Sequence, residues 1–391
     1  MLALTTAGSV ASAQSAAPPA AQTTSATTTA APAAGDSATR AAAPAQDSVP
    51  SFLRDIQANA FVSFGYISNL NMPQDQKIGL RFFDDRANTF SLDGVELVLQ
   101  RAVAKAGDAG FRVDLVAGST IPRAQAAGLS IGTGADLQQA IVSYIAPVGN
   151  GLRLDVGKFV THMGYELIEG YDGYNDNYSR GLLFNYAIPL THTGVKASYS
   201  INSMVSVMAM VVNGWDNAID NNASKSIGAQ LAILPAPPFA FYVNYMGGPE
   251  LADDNHSIRH VVDLIGTFKV SDALSLGVNA DFGTEDGGST VTPGQDAKWS
   301  GVAGYAKIST KSPFSLGLRA ETFQDEGGTR LGLGKVRANE FTITPTVKFG
   351  SNFVVRAEGR FDSVDEEVFV DDKDAPKKSQ GTVGINFIWV Y

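Results

Sequence analysis

From Phe61 to the last residue, apolar and polar positions alternate in steps of two, and the polar positions carry charges of both signs. In GFRVDLVAG, Phe111, Val113 and Leu115 share one face and Arg112 and Asp114 the other. GLRLDVGK sets Leu152, Leu154 and Val156 against Arg153 and Asp155. SLGLRAETF sets Leu316, Leu318 and Ala320 against Arg319 and Glu321. NFVVRAEGRFD sets Phe353, Val355, Ala357 and Phe361 against Arg356, Glu358 and Arg360, and SLDGVELVLQ sets Val95, Leu97 and Leu99 against Glu96 and Gln100. A period of two marks a β-strand with unlike faces. Two architectures accommodate many such strands. A soluble sandwich or β-helix would bury the apolar face in a core. A transmembrane barrel would turn it to lipid and line a wet lumen with the charges. The terminal stretch GTVGINFIWVY suits the barrel: Val383, Ile385, Phe387, Trp389 and Tyr391 form one apolar face whose last aromatics fit a membrane interface.

The spacing of the gaps separates the two cases. Short connections fall near residues 104–108, 148–150, 201–203, 235–238, 270–272, 310–313 and 349–351. Long polar ones fall near 67–86, 120–134, 159–193, 214–224, 248–256, 284–296, 325–338 and 363–378. Short and long alternate throughout, as the periplasmic turns and extracellular loops of outer-membrane barrels do. The fold class expected is therefore all-β, a transmembrane antiparallel β-barrel of 16 strands spanning residues 55–391. The segment GLLFNYAIPL (181–190) is apolar enough to be a strand. Counting it would break the alternation and point to 18 strands, so it is assigned to the third long loop, which is expected to fold inward against the wall.

Composition narrows the rest. No run approaches the roughly 20 apolar residues of a spanning helix. Cysteine is absent, which excludes thiol chemistry and disulfides. The formal net charge is −10 with no basic stripe, which argues against nucleic acid as a partner. Residues 1–13 read as the remnant of a secretory signal peptide, with Ala11, Ser12 and Ala13 before a cleavage point at Gln14. Residues 14–50, rich in Ala, Pro and Thr, read as a disordered periplasmic leader.

The residues that could carry function are charged. A constriction is expected from the third loop, with Lys158, Glu166, Glu169, Asp172, Asp176 and Arg180. The pore wall is expected from Arg112, Asp114, Arg153, Asp155, Arg319, Glu321, Arg356, Glu358 and Arg360. Acidic groups on the loop facing arginines on the wall would set up a transverse field that discriminates solutes by charge. The loop aromatics Tyr165, Tyr171, Tyr174, Tyr178, Phe184 and Tyr186 are read as packing the loop to the wall, rather than as a sugar track. His162, His192, His256 and His260 show no ligand spacing, so no metal and no cofactor is expected. DGYNDN (172–177) and DNAIDNN (216–222) are oxygen-rich but lack EF-hand spacing, and turn formation is the reading preferred. No G-x-S-x-G or base-supported nucleophile suggests an enzyme.

The stretch GKFVTHMGYELIEGYDGYNDNYSRGLLFNYAIPLTHTGVKASY (157–199) resembles the corresponding region of the OmpL-like β-barrel porin family. The resemblance rests on Gly157 and Lys158, Gly164 and Glu166, Asn177 ahead of the Ser179–Arg180 pair, then Pro189, His192 and Gly194, with the opening FVSFGYISNLN and the terminal strand also similar. It implies an outer-membrane channel for small hydrophilic solutes and ions, held in outer-membrane lipid and without catalytic residues. By analogy with barrels of this size a homotrimer is expected. The alternative is a structural or adhesive barrel with no open pore.

Overall fold

The computed structural model describes residues 55–391, apart from 130 and 237. The expected segments 1–13 and 14–50 lie outside the described residues. Among the described residues, sixteen strands form one closed antiparallel barrel. Each strand pairs with its neighbours in sequence, and the first, Gln57–Asn69, closes the ring on the last, Ser379–Val390, with Phe61 opposite Val390 and Asn69 opposite Thr382. Closure gives every backbone N–H and C=O a partner on the strand beside it, which a membrane demands because lipid offers none.

The side chains are sorted in the reverse of a water-soluble protein. Outward positions are apolar and bare: Leu97 is 57% exposed and Phe361 52%. Inward positions are charged and covered, including Asp114, Arg319, Arg356 and Asp362. Turning one of those charges to the bilayer midplane would cost roughly 2–4 kcal/mol, so the alternation fixes which face is which. Phe239 stacks on Phe268 at 4.4 Å and Trp389 on Tyr391 at 6.0 Å, all at the short-turn end of their strands, where an aromatic girdle belongs.

The connections follow the short–long rhythm. The short turns run from 102–108 round to 350–352, and the long loops from 70–88 to 365–378. The last loop carries a small hairpin, Phe369–Val370 with Pro376–Lys377, that is separate from the barrel. Segment 181–190 does not span. Leu183–Ala187 is a single π-helical turn, and the neighbouring strand is Thr191–Ser200. Leu182, Leu183, Phe184, Ala187 and Ile188 are all buried, so their apolarity serves an interior packing site rather than a lipid face.

Two strand pairs are irregular. Between Gln57–Asn69 and Thr89–Arg101 the register shifts at Ser63/Phe64, leaving Asp93 as an extra residue between Leu92 and Gly94. Between Ala109–Ala117 and Ala135–Ala146 it shifts at Asp114/Leu115, leaving Gln138 extra. A β-bulge breaks the parity of its strand and re-aims a side chain. Thus Asp93 and Glu96, three apart, both turn away from lipid, and so do the consecutive Gln138 and Gln139.

Candidate functional site: the lumen and its inward loop

The long connection between the strands Leu152–Val160 and Thr191–Ser200 folds into the barrel. Its start is tied to the wall by two backbone amides: Gly164 N donates to Asp263 Oδ2 at 2.8 Å and Tyr165 N to Asn279 Oδ1 at 3.1 Å. Tyr165 lies flat on Tyr305, ring centres 3.9 Å apart, over the bare backbone of Gly277. A side chain at Gly277 would fall inside the Tyr165 ring, so this glycine makes room for the loop.

Three arginines of the opposite wall hold the middle of the loop. Arg319 pairs with Glu166 and donates to the Ser179 carbonyl at 2.7 Å. Arg356 pairs with Glu169 at 2.7 Å and also donates to the carbonyls of Asn175 and Asn177. Arg360 donates to the Arg180 carbonyl at 2.7 Å and pairs with Asp362. Neighbouring carboxylates take the loop amides: Glu358 accepts from Tyr178 N at 2.6 Å and Ser179 N at 3.1 Å, and Glu321 accepts from Leu182 N and Leu183 N. Wall cations thus meet loop carbonyls and wall anions meet loop amides, which satisfies an irregular backbone inside a barrel. The apolar segment finishes the seal, with Trp299 Nε1 donating to the Ala187 carbonyl at 3.1 Å and Arg330 Nε to the Tyr186 carbonyl at 2.6 Å.

These contacts change the place of several residues expected on the pore wall. Arg319, Glu321, Arg356, Glu358 and Arg360 do face inward, but the loop covers them. Their charges are spent on docking because each has a loop partner within hydrogen-bond reach. Lys158 is not on the loop; it ends a strand, buried, paired with Asp136 at 2.7 Å and donating to the Leu137 carbonyl. Asp176 is paired with Lys307 at 2.6 Å.

The other wall stays wet. A cavity of about 650 Å³ opens beside the short turns, bounded by Arg112, Arg153, Asp155, Lys196 and the loop residue Asp172. Arg112 pairs with Asp114 at 2.8 Å, reaches Asp172 at 2.8 Å, and lies over the Tyr171 ring. Arg153 pairs with Asp155 at 2.9 Å. The loop tip crosses to this wall: Gly170 and Gly173 close a tight turn, Tyr171 N donates to Glu96 Oε2 at 2.7 Å, and Gln100 donates to the Tyr171 hydroxyl at 2.6 Å. Beyond the tip lies a smaller space of about 40 Å³, lined by Asp93, Glu96, Ile168, Tyr178 and Arg180 and, from the long loops, by Phe83, Thr120 and Ile121. Glu96, Gln138 and Ile168 border both spaces.

Electrostatics on the loop favour a docked state. Burial alone would raise the Glu169 carboxyl, but Arg180 and Arg356 outweigh it and hold the group below the usual carboxylate range. Burial pushes the His162 imidazole down to about 3, with His192 and Lys196 adding to the effect. The His162 and His192 rings sit 6.3 Å apart, so the loop brings together two histidines that the sequence separates. In the stretch 216–222, Asp216 accepts from the amides of Leu190 and Thr191, and Asp220 pairs with Lys225 and accepts from Asn222 N at 3.0 Å in a local turn.

Sequence reasoning assigned no role to Asp93, Gln138, Lys196 or Lys307, and read Glu96 only as a polar strand position. The bulges that turn Asp93 and Gln138 inward leave no periodic trace, because each one interrupts the alternation that would reveal it. Lys196 in THTGVKASYS and Lys307 in AKWSGVAGYAKIS had a signal, a lysine on a strand that holds no acidic residue.

Comparison with known proteins places this architecture. A family model described as "Putative beta-barrel porin-2, OmpL-like" matches residues 55–389. No curated protein matches the chain by sequence. Among solved structures it is similar to the outer-membrane-expressed OmpT of Vibrio cholerae, with TM-score 0.57 and 12% identity, covering 86% of this chain and 97% of that one. It is similar to an anion-selective porin from Comamonas acidovorans, with TM-score 0.56 and 10% identity over 86% and 99% of the two chains. It is also similar to OprB of Pseudomonas putida, with TM-score 0.56 and 13% identity over 87% and 96%. At these identities the likeness is one of fold.

Proposed function

This chain belongs to the OmpL-like β-barrel porin family, and from that premise we propose how an outer-membrane porin channel of this shape works. The path for solutes runs along the wall of strands 89–200, between that wall and the loop, from the long-loop end to the cavity of about 650 Å³ near the short turns. The observation that supports this reading is that Glu96, Gln138 and Ile168 line both that cavity and the smaller space beyond the loop tip. Arg112, Asp114, Arg153 and Asp155 line or back the wide part as mixed charges that keep water and polar solutes inside. Loop residues Glu166, Glu169, Asp176 and Arg180 hold the constriction in place, and Asp172 tethers its tip.

The small volume beyond the loop tip points to small cargo. The space there is about 40 Å³, room for a few waters, against about 650 Å³ in the wide part. Passive diffusion of ions and very small polar solutes is therefore the reading, with no catalysis. The same narrowness is the observation that favours the second reading, a structural or adhesive barrel with the loop as a permanent plug. A planar-bilayer measurement with the purified full chain decides between them. Stable open-channel current supports the channel; a folded, inserted protein silent at all voltages supports the plug. We also read the assembly as a homotrimer, for which native mass in mild detergent is the measurement.

A further inference from the structure

All four carboxylates that the loop was expected to present to the pore are already neutralised. Glu166 is paired with Arg319, Glu169 with Arg356 at 2.7 Å, Asp172 with Arg112 at 2.8 Å and Asp176 with Lys307 at 2.6 Å. Arg180, the guanidinium at the narrow passage, is likewise matched by Glu169 at 3.3 Å. Two carboxylates at that passage have no cation within ion-pair distance among the described residues: Asp93 and Glu96, both on the strand Thr89–Arg101. Their partners are neutral. Asp93 accepts from the Ser63 hydroxyl at 3.3 Å, the Tyr178 hydroxyl at 3.0 Å and Asn386 Nδ2 at 3.2 Å. Glu96 accepts from Tyr171 N at 2.7 Å. Neutral donors fix a carboxylate in position and bring no formal charge of their own to offset it.

The backbone has been bent to put them there. The bulge at Asp93 breaks the alternation so that two acids three residues apart share the inner face. The second bulge, on the adjoining wall, adds Gln138 to the same passage. Bulges concentrate where a sheet must re-aim a side chain for function. A plain strand would have sent one of these carboxylates to lipid.

We propose that Asp93 and Glu96 form the selectivity filter of this channel and give it a preference for small cations over anions. The inference rests on the channel reading above and moves the charge filter from the loop to the wall. Acidic side chains at a constriction lower the barrier for cations and raise it for anions, and the guanidinium at the passage, Arg180, is itself paired with Glu169. Their field reaches across a passage this narrow because screening in 0.1 M salt extends over about 10 Å.

The test is the reversal potential of the purified full chain in a planar bilayer under a tenfold KCl gradient. The wild type is expected to pass potassium over chloride by about threefold or more at low salt. The variant carrying Asp93→Asn and Glu96→Gln keeps the hydrogen-bond acceptors, and its permeability ratio is expected to fall toward one with conductance retained. Asp172→Asn, which removes a paired carboxylate, serves as the control and is expected to shift the ratio less. If the double variant fails to insert, Glu96→Gln alone is read the same way. A conducting wild type that is non-selective or anion-selective overturns the inference and leaves the channel standing. So does a Glu96→Gln channel with the wild-type reversal potential. A wild type with no conductance overturns the channel reading and this one with it.

Discussion

The barrel uses one short sequence device five times and gives it two fates. Arg112–Asp114, Arg153–Asp155, Arg319–Glu321, Arg356–Glu358 and Arg360–Asp362 each place a cation and an anion two residues apart on an inward strand face. On the strands 314–364 the loop covers them, and the side chains of Arg319, Arg356 and Arg360 have no exposure at all. On the strands 109–160 only the loop tip reaches the wall, through Asp172 and Tyr171 on Arg112, and the side chains of Arg112 and Arg153 keep 21% and 30%. Locally the motifs are the same. What differs is a loop from elsewhere in the chain, whose carbonyls and carboxylates cover one set of arginines completely and touch the other only at Arg112, leaving it partly in water. The role of a lumen charge is thus decided by its long-range partner.

The sharpest way to break this comparison is to remove an arginine from each wall. Arg319→Ala leaves Glu166 buried without its cation and Glu340 with Arg360 alone, a defect worth about 3–5 kcal/mol. The loop should undock, raising single-channel conductance several-fold and lowering the temperature at which the folded band is lost in a heat-modifiability gel. Arg153→Ala removes a partly exposed pair worth about 1 kcal/mol at most, and neither readout should move much. Equal effects from the two variants would erase the distinction between the walls.

A second experiment trims the apolar end of the docked loop. Leu183 is fully buried, and Leu183→Ala should cost about 2–4 kcal/mol of docking. The same substitution at Leu97, which faces lipid, should leave conductance as it is. Noise analysis of the open-channel current would register the loosened loop, and a quiet Leu183→Ala channel would count against the packing role.

The tip of the loop offers a smaller effect. Asp172→Asn breaks its tie to Arg112, half exposed on the acidic side, and should loosen the tip by about 0.5 kcal/mol. Conductance should rise modestly, and less so in 1 M salt, where the tie is already screened.

The smallest expected effect is on pH dependence. Arg180 and Arg356 hold Glu169 below the ordinary carboxylate range against the opposing pull of burial. A group whose value is depressed in the docked state contributes fully above its undocked value, and that contribution is lost as pH falls through the docked value. Docking should therefore be unchanged from pH 7 to about 5 and weaken only in stronger acid, near the undocked Glu value of about 4.3 and below. Glu169→Gln should flatten the acid branch of a conductance–pH curve; an unchanged branch would assign it to another group.

The barrel was legible in the sequence because two independent rhythms agree. Side chains alternate with a period of two, and connections alternate between short and long. The second rhythm kept 181–190 out of the strand count, and Leu183–Ala187 is a turn of π-helix rather than a strand. The lumen was less legible. Which arginines stay wet depends on where Glu166 and Glu169 land, and no local pattern encodes that. Lys158 looked like a loop residue and is a strand residue paired with Asp136 across the sheet. Asp93 was hidden by its own bulge, since a residue that breaks the alternation cannot be found by following it.

Ring closure has a consequence for the order of assembly. The strand Gln57–Asn69 pairs on one side with Thr89–Arg101, synthesised next, and on the other with Ser379–Val390, synthesised last. Until that last strand exists, the first has an open edge through the whole of translation and transit, and an open edge invites pairing with other chains. The closing contact joins Phe61 to Val390, the longest sequence separation between paired strands of the barrel, which makes it slow to form. A partly finished barrel is therefore no stable resting point. The chain has to be kept unpaired as a whole and committed as a whole, and Phe64 meeting Phe387 marks the moment when it becomes a single object.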